Sequence, residues 1–250
     1  MKTLNRIFKK KKNDNEAVPS ENKDGQAKEV TVHNLMILDE SGSMQGIYAA
    51  ALGGANETIQ TIRSAQAAHP EQDHRFTFVT FNTAGGHFGS PTSIRTVFDD
   101  VPIGDVRDLT DGDYHPEACT PLYDAIGSSI GNLERKAKDG DCVLVTVITD
   151  GLENASKEFS GAMVKKMVDR LRKKGWTFVY IGANQDAVEV ARGLDIHNSL
   201  NFMADRAGTE SMFKLTTRKM EIFYSMIDPC QVRSDEDFFG NDDNTDTGKE

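Results

Sequence analysis

Cysteine is scarce in this sequence: the chain of 250 residues has three, Cys119, Cys142 and Cys230. Their spacing fits neither a zinc site nor a disulfide framework, which excludes both kinds of cross-linked domain. No stretch approaches the roughly 18 consecutive apolar residues of a membrane-spanning helix, so none is expected. The basic start MKTLNRIFKKKK is followed by no apolar core, so a secretory signal is not expected either. Free thiols without such a signal predict a reducing, cytoplasmic location.

Basic charge is also in short supply. The chain has 29 Lys and Arg against 39 Asp and Glu, a net charge of −10. This balance disfavours broad nucleic-acid binding, because attraction to phosphates needs a basic surface. The phosphate-binding pattern G-x-x-x-x-G-K-[ST] is absent, so the chain is not itself a P-loop NTPase.

The two ends of the chain differ in composition from the middle. Residues 1–28 are rich in Lys, Asn, Asp and Glu and predict a disordered tail. Its run Lys9–Lys12 leaves open a weak contact with an anionic membrane surface, although a solvated tail is the favoured interpretation. Residues 228–250 hold eight acidic residues against two basic ones and predict a second disordered tail. One folded domain is therefore predicted over residues 29–227.

Between the tails, strand patterns alternate with helix patterns. Four continuous apolar runs predict buried strands, namely VTVHNLMIL, RFTFVTF, CVLVTVI and WTFVYIG, and the more alternating TSIRTVF predicts an edge strand. Apolar residues at helical spacing predict helices at about residues 44–68, 122–133, 159–171, 186–192 and 209–226. The alternation favours an α/β fold that is Rossmann-like and doubly wound. Its central sheet should be mainly parallel with one antiparallel edge strand, and helices should cover both faces.

Polar side chains follow two of the buried runs. Asp39, Ser41 and Ser43 come after the first run, and Asp150 comes after CVLVTVIT. Thr120 stands just before the proline that opens a predicted helix. Each residue alone has an ordinary explanation as a helix cap or a turn. In an open parallel sheet, however, ligands bind beyond the carboxyl ends of the strands, so the three segments are expected to converge on one crevice.

The five converging side chains would offer two carboxylates and three hydroxyls. Oxygen ligands alone favour Mg²⁺, Mn²⁺ or Ca²⁺ over Zn²⁺. Small hydroxyls, with waters completing the shell, fit the tight octahedron of Mg²⁺ better than the larger cage of Ca²⁺. The residues therefore predict a magnesium site, with Mn²⁺ or Ca²⁺ as alternatives.

These segments resemble the metal-ion-dependent adhesion site of a von Willebrand factor type A (vWA) domain, whose pattern is D-x-S-x-S, then a distant T, then a distant D. DESGS, CTPLYDAI and ITDGLEN match that pattern in order, and the resemblance spans about residues 30–226. Within this family, the sequence further resembles the compact, stand-alone cytoplasmic members from bacteria and phages. One departure is Cys119, which stands where many relatives have glycine.

The resemblance implies a role for each of the five residues. Ser41, Ser43 and Thr120 would bind the metal directly, and Asp39 and Asp150 would act directly or through water. A partner protein's Asp or Glu would then complete the coordination. The implied function is a protein-binding adaptor or scaffold in a bacterial or phage complex, without catalytic residues and without a small-molecule substrate.

Four neighbouring polar residues are candidates for a partner-binding rim around the metal. They are Glu40, Asp113, His115 and Glu117. Glu40 lies inside the DESGS motif, and the other three belong to the loop that leads to the metal-site threonine. Solvated side chains without a partner are the ordinary interpretation of such a loop.

Other functions remain open on the sequence alone. A magnesium-dependent phosphatase of the haloacid dehalogenase type also carries an Asp after its first strand, but its D-x-D pattern needs an acid where Ser41 stands. A serine hydrolase is disfavoured because ESGSM does not match G-x-S-x-G. An adaptor for a ring ATPase and a scaffold with a vestigial site are further alternatives. The sequence names neither the partner nor the oligomeric state.

Overall fold

Six strands form one sheet at the centre of the computed structural model, which describes residues 30–85, 89–183, 187–227 and 238–239. The strands are β1 (Val30–Asp39), β2 (Gln72–Thr83), β3 (Thr92–Pro102), β4 (Cys142–Thr149), β5 (Thr177–Ala183) and β6 (Asn198–Phe202). Their order across the sheet is β3-β2-β1-β4-β5-β6. β3 runs antiparallel to β2, and the other neighbouring pairs are parallel. The predicted sheet, mainly parallel with one antiparallel edge strand, is confirmed.

The central strands are continuous apolar runs because helices cover both of their faces. Every residue of β5 is buried, and so is every residue of β4 after Cys142. The short strand β6 is not predicted by the sequence pattern, because NSLNF contains two asparagines and a serine and has no apolar run. It forms at the edge of the sheet by pairing with β5, where half-exposed polar residues are tolerated.

In the described part of the chain, five α-helices flank the sheet: α1 (Tyr48–Ala68), α2 (Leu122–Glu134), α3 (Gly161–Arg172), α4 (Ala187–Gly193) and α5 (Arg206–Ser225). α1 and α5 pack on one face, and α2, α3 and α4 pack on the other, which confirms the doubly wound arrangement. The helix predicted from Met44 starts later, because a 3₁₀ turn over Gly42–Ile47 precedes α1. Ser160 caps α3, since its side chain accepts a hydrogen bond from the backbone N–H of Met163.

The two predicted tails lie almost wholly outside the described residues. Residues 1–28 are outside, and within 228–250 only Phe238 and Phe239 are described. Phe238 is 9 % exposed and belongs to the apolar cluster between the sheet and α5. Within the described ranges, no helix combines the length and apolarity needed to cross a membrane.

At the amino ends of the strands, His33 of β1 lies between two carboxylates. Its Nδ1 is 2.7 Å from Asp100 Oδ1, and its Nε2 is 3.1 Å from Asp141 Oδ2. Burial lowers the pKa of His33, but the hydrogen bonds to both carboxylates outweigh that effect and leave the pKa raised. Protonated His33 thus ties β1 to β3 and to the turn before β4.

This histidine gives a prediction for the pH dependence of stability. Because the pKa of His33 is higher in the folded chain, its contribution is complete below the unfolded pKa of about 6.5 and is lost as the pH rises through the folded pKa. Urea unfolding of the wild type should therefore show a midpoint that falls from pH 6 to pH 9 more steeply than that of His33→Gln. The exposed His115→Gln is the control and should follow the wild type. Equal slopes for wild type and His33→Gln would contradict the assignment.

Candidate metal centre

Three loops meet at the carboxyl ends of β1 and β4. The two strands are hydrogen-bonded neighbours in register, with Leu38 opposite Ile148, so the residues that follow them emerge side by side. Ser43 Oγ donates a hydrogen bond of 2.5 Å to Asp150 Oδ1, which joins the first loop to the second. Ser41 Oγ lies 3.2 Å from Ser43 Oγ.

The third loop brings Thr120 to the same place. The backbone of Thr120 is held on both sides by Asn154: its N–H donates to Asn154 Oδ1 at 2.9 Å, and its carbonyl accepts from the Asn154 amide at 3.1 Å. A methyl group built on Gly151 would lie 3.0 Å from Thr120 Oγ1 and 3.7 Å from both Asp39 Oδ2 and Ser43 Oγ. Three oxygens, two from the segment after β1 and one from the loop before α2, therefore face one small space beside Gly151.

The structure thus brings together all five predicted oxygen residues. The floor of this oxygen cup is buried, because Asp39 is 0 % exposed, Ser41 1 % and Thr120 3 %. Ser43 is exposed and Asp150 is half-buried, so the cup is open to solvent on their side. A ligand held on the floor could be reached by a second molecule from that side.

The two carboxylates of the cup are electrostatically strained. Burial raises the pKa of Asp39 to about 6, against hydrogen bonds from Thr149 and Ser41 that lower it. Burial also raises the pKa of Asp150, against the hydrogen bond from Ser43. Within the described part of the chain, neither carboxylate forms an ion pair with Lys or Arg. A bound cation would supply the positive charge that the side chains do not.

The donor set fits a small, hard divalent cation. Two carboxylates and three hydroxyls are oxygen ligands of the kind that Mg²⁺ takes, with water in the remaining positions. Among the described residues, no group of three or more His, Cys, Asp and Glu side chains could hold a metal. That finding concerns sites built from acids and soft ligands, whereas this cup has only two acids. The residues Asp39, Ser41, Ser43, Thr120 and Asp150 could hold the ion between them.

Comparison with known proteins bears on the fold. No protein-family model matches the chain, and no curated protein matches it. The pilus adhesin SpaC from Lactobacillus rhamnosus GG aligns at a TM-score of 0.60 and 10 % identity, over 78 % of this chain and 31 % of that one. The PilB minor pilin from Streptococcus sanguinis aligns at a TM-score of 0.54 and 8 % identity, over 77 % of this chain and 62 % of that one. A von Willebrand factor type A structure from Catenulispora acidiphila aligns at a TM-score of 0.49 and 17 % identity, over 78 % of this chain and 43 % of that one.

The fold is von Willebrand factor type A-like. The resemblance inferred from the sequence is thereby confirmed for the fold alone, since all three identities are below 20 %. This chain spans less than two thirds of the length of SpaC and of PilB.

Two residues that sequence reasoning missed hold Asp39 in place in the vWA-like domain. Thr149 Oγ1 donates a hydrogen bond of 2.5 Å to Asp39 Oδ2, and the buried Tyr114 hydroxyl donates one of 2.7 Å to the Asp39 carbonyl. The Ser41 amide donates to Asp39 Oδ1 at 2.7 Å. Thr149 could have been found, because it directly precedes Asp150 at the strand end. Tyr114 lies 75 positions away along the chain, and nothing local marks it.

Two of the four predicted rim residues lie inside the vWA-like domain. Glu40 is 4 % exposed, and its Oε1 accepts hydrogen bonds from Arg95 Nη2 at 2.7 Å and from the His115 amide. Asp113 is 6 % exposed and accepts two hydrogen bonds of 2.7 Å from Arg107, which lower its pKa strongly. Both carboxylates are buried and brace the loops internally.

The other two predicted rim residues do face solvent. His115 and Glu117 are both exposed on the loop that leads to Thr120. A third exposed residue, missed from the sequence, is Leu152, which follows Gly151 and is 61 % exposed. The outer surface of the cup therefore combines polar and apolar side chains on two loops.

A buried carboxylate organises the loop that carries Gly151 and Leu152. Asp124 of α2 is 1 % exposed and accepts hydrogen bonds from the consecutive amides of Lys157, Glu158 and Phe159 at 2.8–2.9 Å. These bonds hold the loop after β4 against the start of α2, just beyond Thr120. The position of Thr120 relative to Asp150 is thereby set by the fold.

Proposed function

We propose that this domain is a metal-dependent protein-binding module. Mg²⁺, with Mn²⁺ or Ca²⁺ as alternatives, would be held by the five oxygen residues, and a carboxylate from a partner protein would complete the site. The observation that carries the proposal is the convergence of Thr120 Oγ1, Asp39 Oδ2 and Ser43 Oγ on the space beside Gly151. The absence of a Lys or Arg ion pair to Asp39 or Asp150, within the residues described, also supports a cation there.

The chemistry of the five oxygen ligands favours binding of a partner protein. When bound, the ion supplies an electrophilic position that a partner's Asp or Glu can occupy. Three of the five side chains are neutral hydroxyls, so little negative charge from the domain competes with the partner's carboxylate. Thr149, the Ser41 amide and Tyr114 keep Asp39 oriented at the floor of the cup. Ser43 and Asp150 form the side from which the partner approaches.

The arrangement around the serines supports a role without catalysis. The usual base for a serine nucleophile is a histidine within hydrogen-bond reach. Ser43 Oγ donates to Asp150, and Ser41 Oγ contacts Ser43, so neither hydroxyl is paired with a histidine within the described residues. A phosphatase of the D-x-D type needs a second acid where Ser41 stands. We therefore favour an adaptor or scaffold, in the cytoplasm of a bacterium or in a phage complex, over an enzyme.

The test is capture of partner proteins by the immobilised domain with and without Mg²⁺. We expect a set of proteins that is retained by the wild type with Mg²⁺, lost on chelation and lost with Asp39→Ala. The control Asp139→Ala changes an exposed acid in the turn before β4 and should retain the same set. In a captured partner, replacement of the Asp or Glu that completes the metal site should abolish the Mg²⁺-dependent binding.

Two outcomes would contradict this function. The first is retention of the same proteins by Asp39→Ala or in the presence of a chelator. The second is steady turnover of a phosphate ester by the wild type that Asp39→Ala abolishes, which would favour the phosphatase.

A further inference from the structure

Two phenylalanines from the acidic C-terminal region pack against the edge of the fold. Phe238 is 9 % exposed, and its ring lies 6.0 Å from the ring of Phe223 on α5. The ring of Phe239 meets that of Phe238 edge-on at 5.2 Å. Both residues join the apolar cluster between the sheet and α5.

A specific polar contact accompanies the two rings. The Phe238 N–H donates a buried hydrogen bond of 2.8 Å to Asn198 Oδ1 at the start of β6. The Nδ2 of Asn198 donates in turn to the Phe178 carbonyl of β5 at 3.1 Å. Asn198 therefore binds the backbone N–H of Phe238, and its own side chain is held in place by the sheet. We call the surface formed by Asn198, Phe223 and their apolar neighbours the Phe238 seat.

We propose that the Phe238 seat is a binding site for peptides with a Phe-Phe pair, and that the chain's own segment is its resident occupant. The seat contacts two side chains and one backbone N–H, which any such peptide presents. It lies at the amino ends of the strands, since Asn198 pairs with Val179 near the start of β5, whereas the oxygen cup lies at the carboxyl ends. The proposal is therefore independent of the metal.

Tethering explains why the site is occupied by its own chain. A segment joined to the domain by a short link has an effective concentration on the order of millimolar. An external peptide of equal intrinsic affinity competes poorly with it at micromolar concentration. Removal of the two rings from the tethered segment frees the seat without shortening the chain.

The test uses the full-length chain and a fluorescent peptide with the sequence of residues 232–244, VRSDEDFFGNDDN. Fluorescence polarisation should show that the double variant Phe238→Ala, Phe239→Ala binds this peptide at least about tenfold more tightly than the wild type does. A peptide with both phenylalanines replaced by alanine should not bind either protein. Adding Asn198→Ala to the double variant should weaken binding again. Failure of a folded double variant to bind the peptide would overturn the proposal.

A second experiment covers a double variant that does not fold. A protease site is inserted into the full-length wild type within residues 228–237, and the cleaved protein is passed through a sizing column after dilution. Release of the C-terminal fragment from a domain that keeps its circular dichroism spectrum supports a peptide site, as does rebinding on concentration. A fragment that leaves only when the domain unfolds would show that Phe238 belongs to the permanent core and would overturn the proposal.

Discussion

Replacing Gly151 with alanine is expected to abolish Mg²⁺ binding and leave the domain folded. The added methyl would stand 3.0 Å from Thr120 Oγ1 and 3.7 Å from Asp39 Oδ2 and Ser43 Oγ, in the space where the three oxygens converge. No ligand is removed, so the loss arises from the filled space alone. Calorimetric titration should show an affinity for Mg²⁺ lower by about a hundredfold or more, as large as the loss of a residue that supports a metal ligand.

The matched control for this variant is Gly46→Ala, in the 3₁₀ turn that follows the DESGS motif. A methyl on Gly46 would meet no atom within 4 Å, so both Mg²⁺ affinity and stability should stay near the wild-type values. Gly151→Ala in the absence of metal should unfold within about 1 kcal/mol of the wild type, because its backbone needs no left-handed conformation. A Gly151→Ala protein that binds Mg²⁺ as well as the wild type would contradict the location of the site.

Replacing Gly54 with alanine is expected to destabilise the domain strongly. A methyl on Gly54 of α1 would stand 2.0 Å from Phe213 Cδ2 of α5, and Phe213 is 1 % exposed, so its ring has no free space to move into. Overpacking at a buried helix contact costs up to about 3 kcal/mol of unfolding free energy. Urea unfolding at fixed pH measures the cost.

The neighbouring residue supplies the control. A methyl on Gly53 meets no atom within 4 Å, and the residue is exposed on the same helix. Gly53→Ala should raise the unfolding free energy by about 1 kcal/mol, because alanine favours the helix over glycine. The change in unfolding free energy should therefore have opposite signs in these two variants, which lie one residue apart. A Gly54→Ala protein as stable as Gly53→Ala would show that α5 is not packed against α1 as described.

Much of the fold could be predicted because burial on both faces leaves a strong pattern in the sequence. Each of the five strands and five helices predicted from the sequence has a counterpart in the structure. β6 could not be predicted, since an edge strand with a polar composition is stabilised by pairing with β5, which is a property of its neighbour. The packing of Phe238 against Phe223 was hidden for a similar reason: two aromatic residues in an acidic segment give no periodicity.

The five oxygen residues could be predicted to converge because each stands at a strand end or a helix start. The support from Tyr114 could not be predicted, because this residue lies 75 positions from Asp39 along the chain. Glu40 shows the limit most clearly. It lies between two residues of the cup, yet its neighbours in space, Arg95 and the His115 amide, turn it inward, where it braces the loops.

The most direct test of the metal centre is titration of the wild-type domain with Mg²⁺ at pH 7.5, beside Asp39→Ala. At this pH Asp39, whose pKa is about 6, is ionised. The five-oxygen cup predicts one saturable site in the wild type and none in the variant. No saturable binding in the wild type at millimolar Mg²⁺ or Mn²⁺, or equal binding by Asp39→Ala, would contradict the metal centre and the function proposed for it.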